Sequence, residues 1–119
     1  MQYMLLMYFD ENSLSEEQRN QCYAASAGYA RDLDKRGKYV SAGPLQPTLT
    51  ATSIRHREGK QVVTDGPFAE TREQLGGFFI INAENLDEAL EIAGKVPAGQ
   101  WGTVEVRPMI EVGGLPEKK

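Results

Sequence analysis

Hydrophobic and polar positions repeat along this chain with two different periods, and each change of period marks an element. Residues 2–9, "QYMLLMYF", are apolar at both alternating sets: Tyr3, Leu5, Met7 and Phe9 on one side, Met4, Leu6 and Tyr8 on the other. A strand of that composition is covered on both faces. The segment "SLSEEQRNQCYAASAGYARDLDKRG" has helical spacing instead. At about 100° per residue, Cys22, Tyr23, Ser26, Ala30 and Leu33 share one arc with Ala27 and Tyr29, while Glu17, Arg31 and Lys35 fall opposite. Ser13, three residues before Glu16, has capping-box spacing, and Gly37 follows basic residues as a left-handed stop.

The period of two returns in "KYVSAGPLQP", a short strand running out at Gly43-Pro44, and in "TATSIRHREGKQVVTDG", a hairpin turning at Glu58-Gly59-Lys60. "GGFFIINA" is again apolar on both faces. "ENLDEALEIAGKVP" predicts a second helix, with Asn85 as N-cap, a stripe of Leu86, Ala89, Leu90 and Ala93, and Pro97 as stop. "TVEVRPMIEV" alternates, with Val104, Val106, Pro108, Ile110 and Val112 on one side, and its internal proline suits an edge strand.

Strand, helix, strand, inserted hairpin, strand, helix, strand is the split βαβ order, an α+β ferredoxin-like βαββαβ sandwich. Helices on one side of the sheet leave the other apolar face bare. A bare face of that kind marks a partner surface, which predicts a homodimer whose sheets face each other, with room for a cavity between them.

The length of 119 residues allows one domain and one core. We place it at residues 1–113, with 114–119 as a short polar tail. Apolar content of 40% with 25% charged residues is that of a folded soluble chain rather than a disordered one. A net charge of −4 without a basic cluster argues against nucleic acid, whose binding depends on neutralising phosphates. The apolar start is too short for a membrane span and lacks a basic flank, so neither membrane nor secretion is expected, and the single Cys22 points to the cytoplasm. One histidine and one cysteine leave no basis for a zinc or haem site, and no cofactor is expected.

The most distinctive run is "VVTDGPFAETREQLGGFF", residues 62–79. Asp65 can act as a general base, but Asp-Gly-Pro is also what a tight turn selects, with the Asp side chain accepting from the amides ahead of it. The turn reading outweighs the catalytic one. Phe68 is a candidate cavity residue or a core anchor, and Glu70 with Glu73 reads as a solvated helical first turn. Ser26, mid-arc on the first helix, must bond either the carbonyl one turn back or something in a cavity. Asp10 and Arg107 lie at strand ends where a polar cluster can form. His56 reads as a surface residue and Cys22 as a small apolar one.

"YMLLMYFDE", "GKYVSAGPLQP", "VVTDGPFAETREQLGGFF", "LDEALEIAGKVP" and "VEVRPM" together resemble the DGPF branch of the YCII-related proteins, over nearly the whole chain. The resemblance implies a dimeric α/β-barrel assembly of ferredoxin-like units. It also implies a candidate enzymatic pair, an Asp ending the first strand and a His in the first helix. Asp10 matches the Asp; Ser26 stands where the His falls. Two function classes follow. The first is a homodimeric module binding a small organic ligand, with Ser26, Phe68 and Arg107 as contacts. The second is an isomerase, lyase or hydrolase using the carboxylates of Asp10 and Asp65 as catalytic groups. A structural or partner-binding role is the third, since fold does not determine function.

Overall fold

The structure is a computed structural model and describes residues 1–116; residues 117–119 of the expected tail lie outside the described residues. Strand β1 (Gln2–Phe9) leads into helix α1 (Glu16–Lys35) and strand β2 (Tyr39–Pro44). A hairpin of β3 (Thr52–Arg57) and β4 (Lys60–Asp65) precedes β5 (Gln74–Asn82), α2 (Leu86–Ala93) and β6 (Gly102–Pro108). The main sheet has the order β2-β5-β1-β6 with every neighbouring pair antiparallel, which is the ferredoxin-like arrangement. The two doubly apolar strands are the central ones. The alternating strand with Pro108 is an edge, where a missing N–H costs no ladder bond.

Register divides the side chains into two faces. Leu5 lies opposite both Phe79 and Val106, while Leu6 lies opposite Phe78 and Glu105, and Met4 opposite Ile80 and Arg107. The Leu5 face carries the core, where Tyr3, Met7, Phe79 and Ile81 pack with Cys22 and Leu33 of α1 and with Ala89, Ile92 and Ala93 of α2. Leu5, Leu33, Ile81 and Ile92 are fully buried, each contributing about 1.5–3 kcal/mol. Tyr29 ties the two helices by donating to the Ile92 carbonyl at 2.7 Å. Among the described residues no helix lies over the Leu6 face, and Met4, Leu6, Phe78 and Ile80 are only half-buried.

Several local expectations shift. The cap of α1 is Ser15, not Ser13: Ser15 Oγ accepts from the Gln18 amide, and Gln18 Oε1 accepts from the Ser15 amide. Ser13 is used earlier, ending a 3₁₀ turn and donating to the Asp10 carbonyl at 2.7 Å. Buried Leu14 then needs an extended residue between turn and helix, which moves the cap two places along. In α2, Asn85 caps as read, but the buried stripe runs through Ala89, Ile92 and Ala93 to Val96, leaving Leu86 and Leu90 each 50% exposed. Strand β6 stops at Pro108 because β1 has no residue left to pair: its last rung is the Met109 amide donating to the Gln2 carbonyl. Ile110 and Val112 therefore lie exposed beyond the strand.

The β3–β4 hairpin forms its own two-stranded sheet, exposed on both faces except at Ser53. Its two-residue turn places both Glu58 (φ 51°) and Gly59 (φ 76°) in the left-handed region, the geometry that matches strand twist. A radius of gyration of 16.1 Å, against about 13.5 Å for a compact chain of this length, shows that the hairpin stands out as an arm.

Candidate functional site

Between α1 and the sheet lies a cavity of about 410 Å³. Its cause can be read residue by residue. A helix facing a sheet usually presents large side chains, but Cys22, Ser26, Ala27 and Ala30 of α1 are all small and face the cavity. Across from them stand Ala42 and Gly43 of β2 and Gly76 of β5. Protein interiors leave few voids wider than a water molecule, so small residues on both sides of the gap create a built space. The stripe from Arg19 to Arg31 at positions i, i+3, i+4, i+7, i+8, i+11 and i+12 gives that space the length of most of the helix.

A glycine shapes its aromatic end. At Gly76 β5 carries an extra residue, since Gly77 pairs with Met7 and Leu75 with Tyr8. A Cβ on Gly76 would fall 2.2 Å from the Phe9 ring, so only glycine lets that ring sit against the bulge. Gly43 borders the cavity with backbone, since a Cβ there would point to the open face of the sheet, 3.1 Å from the Phe78 ring. Met7 and Phe79 complete the floor, and the Phe79 ring meets Tyr29 at 6.1 Å between centroids.

Of the five residues proposed from sequence, Ser26 lines this cavity. Its Oγ stands 4.0 Å from Cys22 Sγ, a weak contact and its only side-chain hydrogen-bond partner among the described residues. Burial pushes the Cys22 thiol up, against a smaller opposing effect of the Ser26 hydroxyl, so the cavity holds a neutral thiol at pH 7. Asp10 accepts from the Asn12 amide at 2.9 Å and caps the 3₁₀ turn. Arg107 projects from the Leu6 face, on the far side of the sheet from the cavity. Phe68 is 76% exposed, with the Arg55 guanidinium 6.0 Å from its ring centroid. Asp65 ends β4 on the arm, opposite Thr52, and is exposed.

The Asp-Gly-Pro corner is held differently from the sequence reading. Gly66, at φ 97°, donates to the Ala51 carbonyl at 2.7 Å, and its own carbonyl accepts from Ser53 Oγ at 2.7 Å. The Asp65 carboxylate makes no hydrogen bond among the described residues, because Ser53 across the hairpin already closes the corner. Residues 70–73 form no helical turn; Glu73 instead accepts from Thr103 Oγ1 at 2.9 Å, pinning the segment to β6. Arg31, placed by the wheel on the outer side, reaches the cavity because its long side chain lies back over Gly28. The small run "CYAASAGYA" was the signal for the cavity that hydrophobic patterning passes over.

Because Ser26 Oγ has only the thiol beside it, Ser26→Ala should cost no more than about 1 kcal/mol, the value of a hydrogen bond lost without stranding a buried partner. A thermal melt checks this, and a loss well above that would place Ser26 in a structural network.

Comparison with known proteins fits this architecture. A solved structure of 5-chloro-2-hydroxyhydroquinone dehydrochlorinase from Burkholderia phenoliruptrix AC1100, in complex with 2,5-dihydroxybenzoquinone, shares the fold at a TM-score of 0.57 and 23% identity, covering 94% of this chain and 96% of that one. An uncharacterised protein of Rhizobium meliloti (strain 1021) is 38% identical over 114 residues, 92% of each chain. The model of the YCII-related domain matches residues 1–113. With a full-length family match and a relative of that identity, the chain belongs to the YCII-related family.

Proposed function

We propose that this protein is a homodimeric module that binds a small organic molecule in the cavity between α1 and the sheet. The observation that carries the reading is the cavity itself, about 410 Å³ and walled by small and aromatic residues. That volume falls in the range of ligand pockets, roughly 300–1,000 Å³. The fold neighbour's complex with 2,5-dihydroxybenzoquinone is in keeping with a ligand of that class. Ser26 is then the polar contact inside the pocket. The carboxylate-enzyme alternative draws on the fold neighbour, which is an enzyme by name, but Asp10 caps a turn and Asp65 lies on the arm, so neither lines the cavity.

Dimerisation is supported by the uncovered face of Met4, Leu6, Phe78 and Ile80. An apolar sheet face pairs with its own copy at little entropic cost beyond association. Leu6→Asp, placed at the centre of that face beside Glu105, should leave a folded monomer at micromolar concentration while the parent sediments as a dimer. A parent that sediments as a monomer would remove this part of the reading. A cytoplasmic setting suits the free thiol of Cys22.

Native mass spectrometry of freshly purified protein tests ligand binding directly. The expected result is an organic adduct of low mass per chain that is released on denaturation. Protein that is free of adduct and unresponsive to every small-molecule library member in a melting assay would contradict it.

A further inference from the structure

The charges around the cavity say more than its volume does. Among the described residues, Arg19 and Arg31 are the charged side chains that line it, and no carboxylate does. Neither guanidinium takes part in an ion pair or side-chain hydrogen bond among the described residues, where the ion pairs are Arg36 with Asp32 and Lys38 with Glu88. Arg19 is half-buried as well as unpaired, which departs from the usual pattern of long basic side chains being solvated or paired.

Topology places these cations at the two ends of the space. Arg19 and Arg31 are 12 positions apart on α1, about 18 Å along the axis. Gly77 pairs with Met7 on one side and Pro44 on the other, so the ends of β1 and β2 lie together. The chain enters α1 from the end of β1, which puts Arg19 near Phe9 and Gly76. Arg19 is half-buried, so its charge is less screened than a surface one. Arg31 is exposed at the other end, its Nη2 3.7 Å from where a Cβ on Gly28 would stand. The absence of a side chain at Gly28 leaves its guanidinium free to lie along the helix.

We propose that the cavity's occupant is an organic anion, with an aromatic body against Met7 and Phe79 and its acidic group held by Arg19. Arg31 supplies a second positive charge that draws the anion in. An acid is selected by this arrangement because a guanidinium binds a carboxylate or enolate through charge-assisted hydrogen bonds and gains nothing comparable from a neutral isostere. This inference rests on the cavity-binding reading above.

The test is titration calorimetry with three matched pairs of graded size: benzoate and benzamide, 2-naphthoate and 2-naphthamide, 4-biphenylcarboxylate and its amide. At least one acid should bind about tenfold or more tightly than its amide. Arg19→Gln should remove that preference while leaving amide binding in place, and Arg31→Gln should weaken the acid less, by an amount that fades at high salt. Acids and amides of equal affinity would overturn the anion inference and leave the cavity reading standing. An acid preference untouched in Arg19→Gln would overturn the assignment of Arg19. No binding by any of the six would overturn this inference and the cavity reading together.

Discussion

Ser26→Leu is expected to melt at a higher temperature than the parent protein and to lose most of its affinity for ligand. Ser26 occupies the middle of the α1 stripe that lines the cavity, flanked one turn away by Cys22 and Ala30, so a larger side chain there grows into space rather than into packed atoms. Filling such a space with apolar atoms contributes about 0.5–2 kcal/mol. The same atoms occupy the ligand's volume, so affinity should fall at least about 100-fold, or about 2.7 kcal/mol. Paired thermal melts and titrations check both effects. A variant that melts several degrees lower would mean that the region is already filled, because overpacking a close-packed core costs about 1–3 kcal/mol.

The largest loss of stability is expected from Gly102→Ala. Gly102 starts β6 directly opposite Phe9, and a Cβ there would fall 1.8 Å from the Tyr8 carbonyl oxygen and 2.9 Å from the Phe9 Cα. These are backbone atoms and cannot rotate aside. Relief requires β6 to move off β1, at a cost of about 3 kcal/mol or more, the upper end of what overpacking does. Gly76→Ala makes the informative contrast, since the atom it meets is the Phe9 ring. That ring can turn, so stability should suffer less than in Gly102→Ala while the cavity wall is displaced. Urea unfolding of the two variants compares them, and a loss below about 1 kcal/mol in Gly102→Ala would contradict the close approach.

How much of this was legible in the sequence follows from which signals are local. Doubly apolar β1 and β5 announced central strands, and alternating β6 announced an edge, because burial of each face is written in every second residue. The Glu58-Gly59 turn was legible for a similar reason, since its demand for positive φ is met within two residues. The α1 cap was placed two residues early because "SLSEEQ" holds two overlapping capping frames, and only the burial of Leu14 chooses between them. The end of β6 was misread because the period of two runs on past the last residue of β1 that can pair.

The site was less legible than the fold. Ser26 was found because a hydroxyl on an apolar arc needs an explanation. The cavity around it was not, because it arises from what is missing: small residues on α1 meeting Ala42, Gly43 and Gly76 from strands 12 and more residues away. Hydrophobic patterning counts Ala and Cys as core and does not register that they fail to fill it. Arg31 was assigned to the outer face by its helical angle, and only the bare Gly28 one turn back shows how its side chain returns. Asp10, Asp65, Phe68 and Arg107 were grouped by position near strand ends and turns. The structure distributes them over a turn, the arm and the opposite face of the sheet.

The position of the ligand is the central claim, and the four methionines report on it directly. Met7 is on the cavity floor, Met4 is on the open face of the sheet, Met1 is exposed and Met109 makes the last rung between β6 and β1. With the methionine methyl groups labelled with carbon-13, a titration with the tightest-binding of the six aromatic probes can be followed at each site by NMR. The account predicts a large, saturable shift of the Met7 methyl signal with Met1, Met4 and Met109 nearly unchanged. A shift at Met4 with Met7 left in place would contradict it, and would put the ligand on the bare sheet face instead of beneath α1.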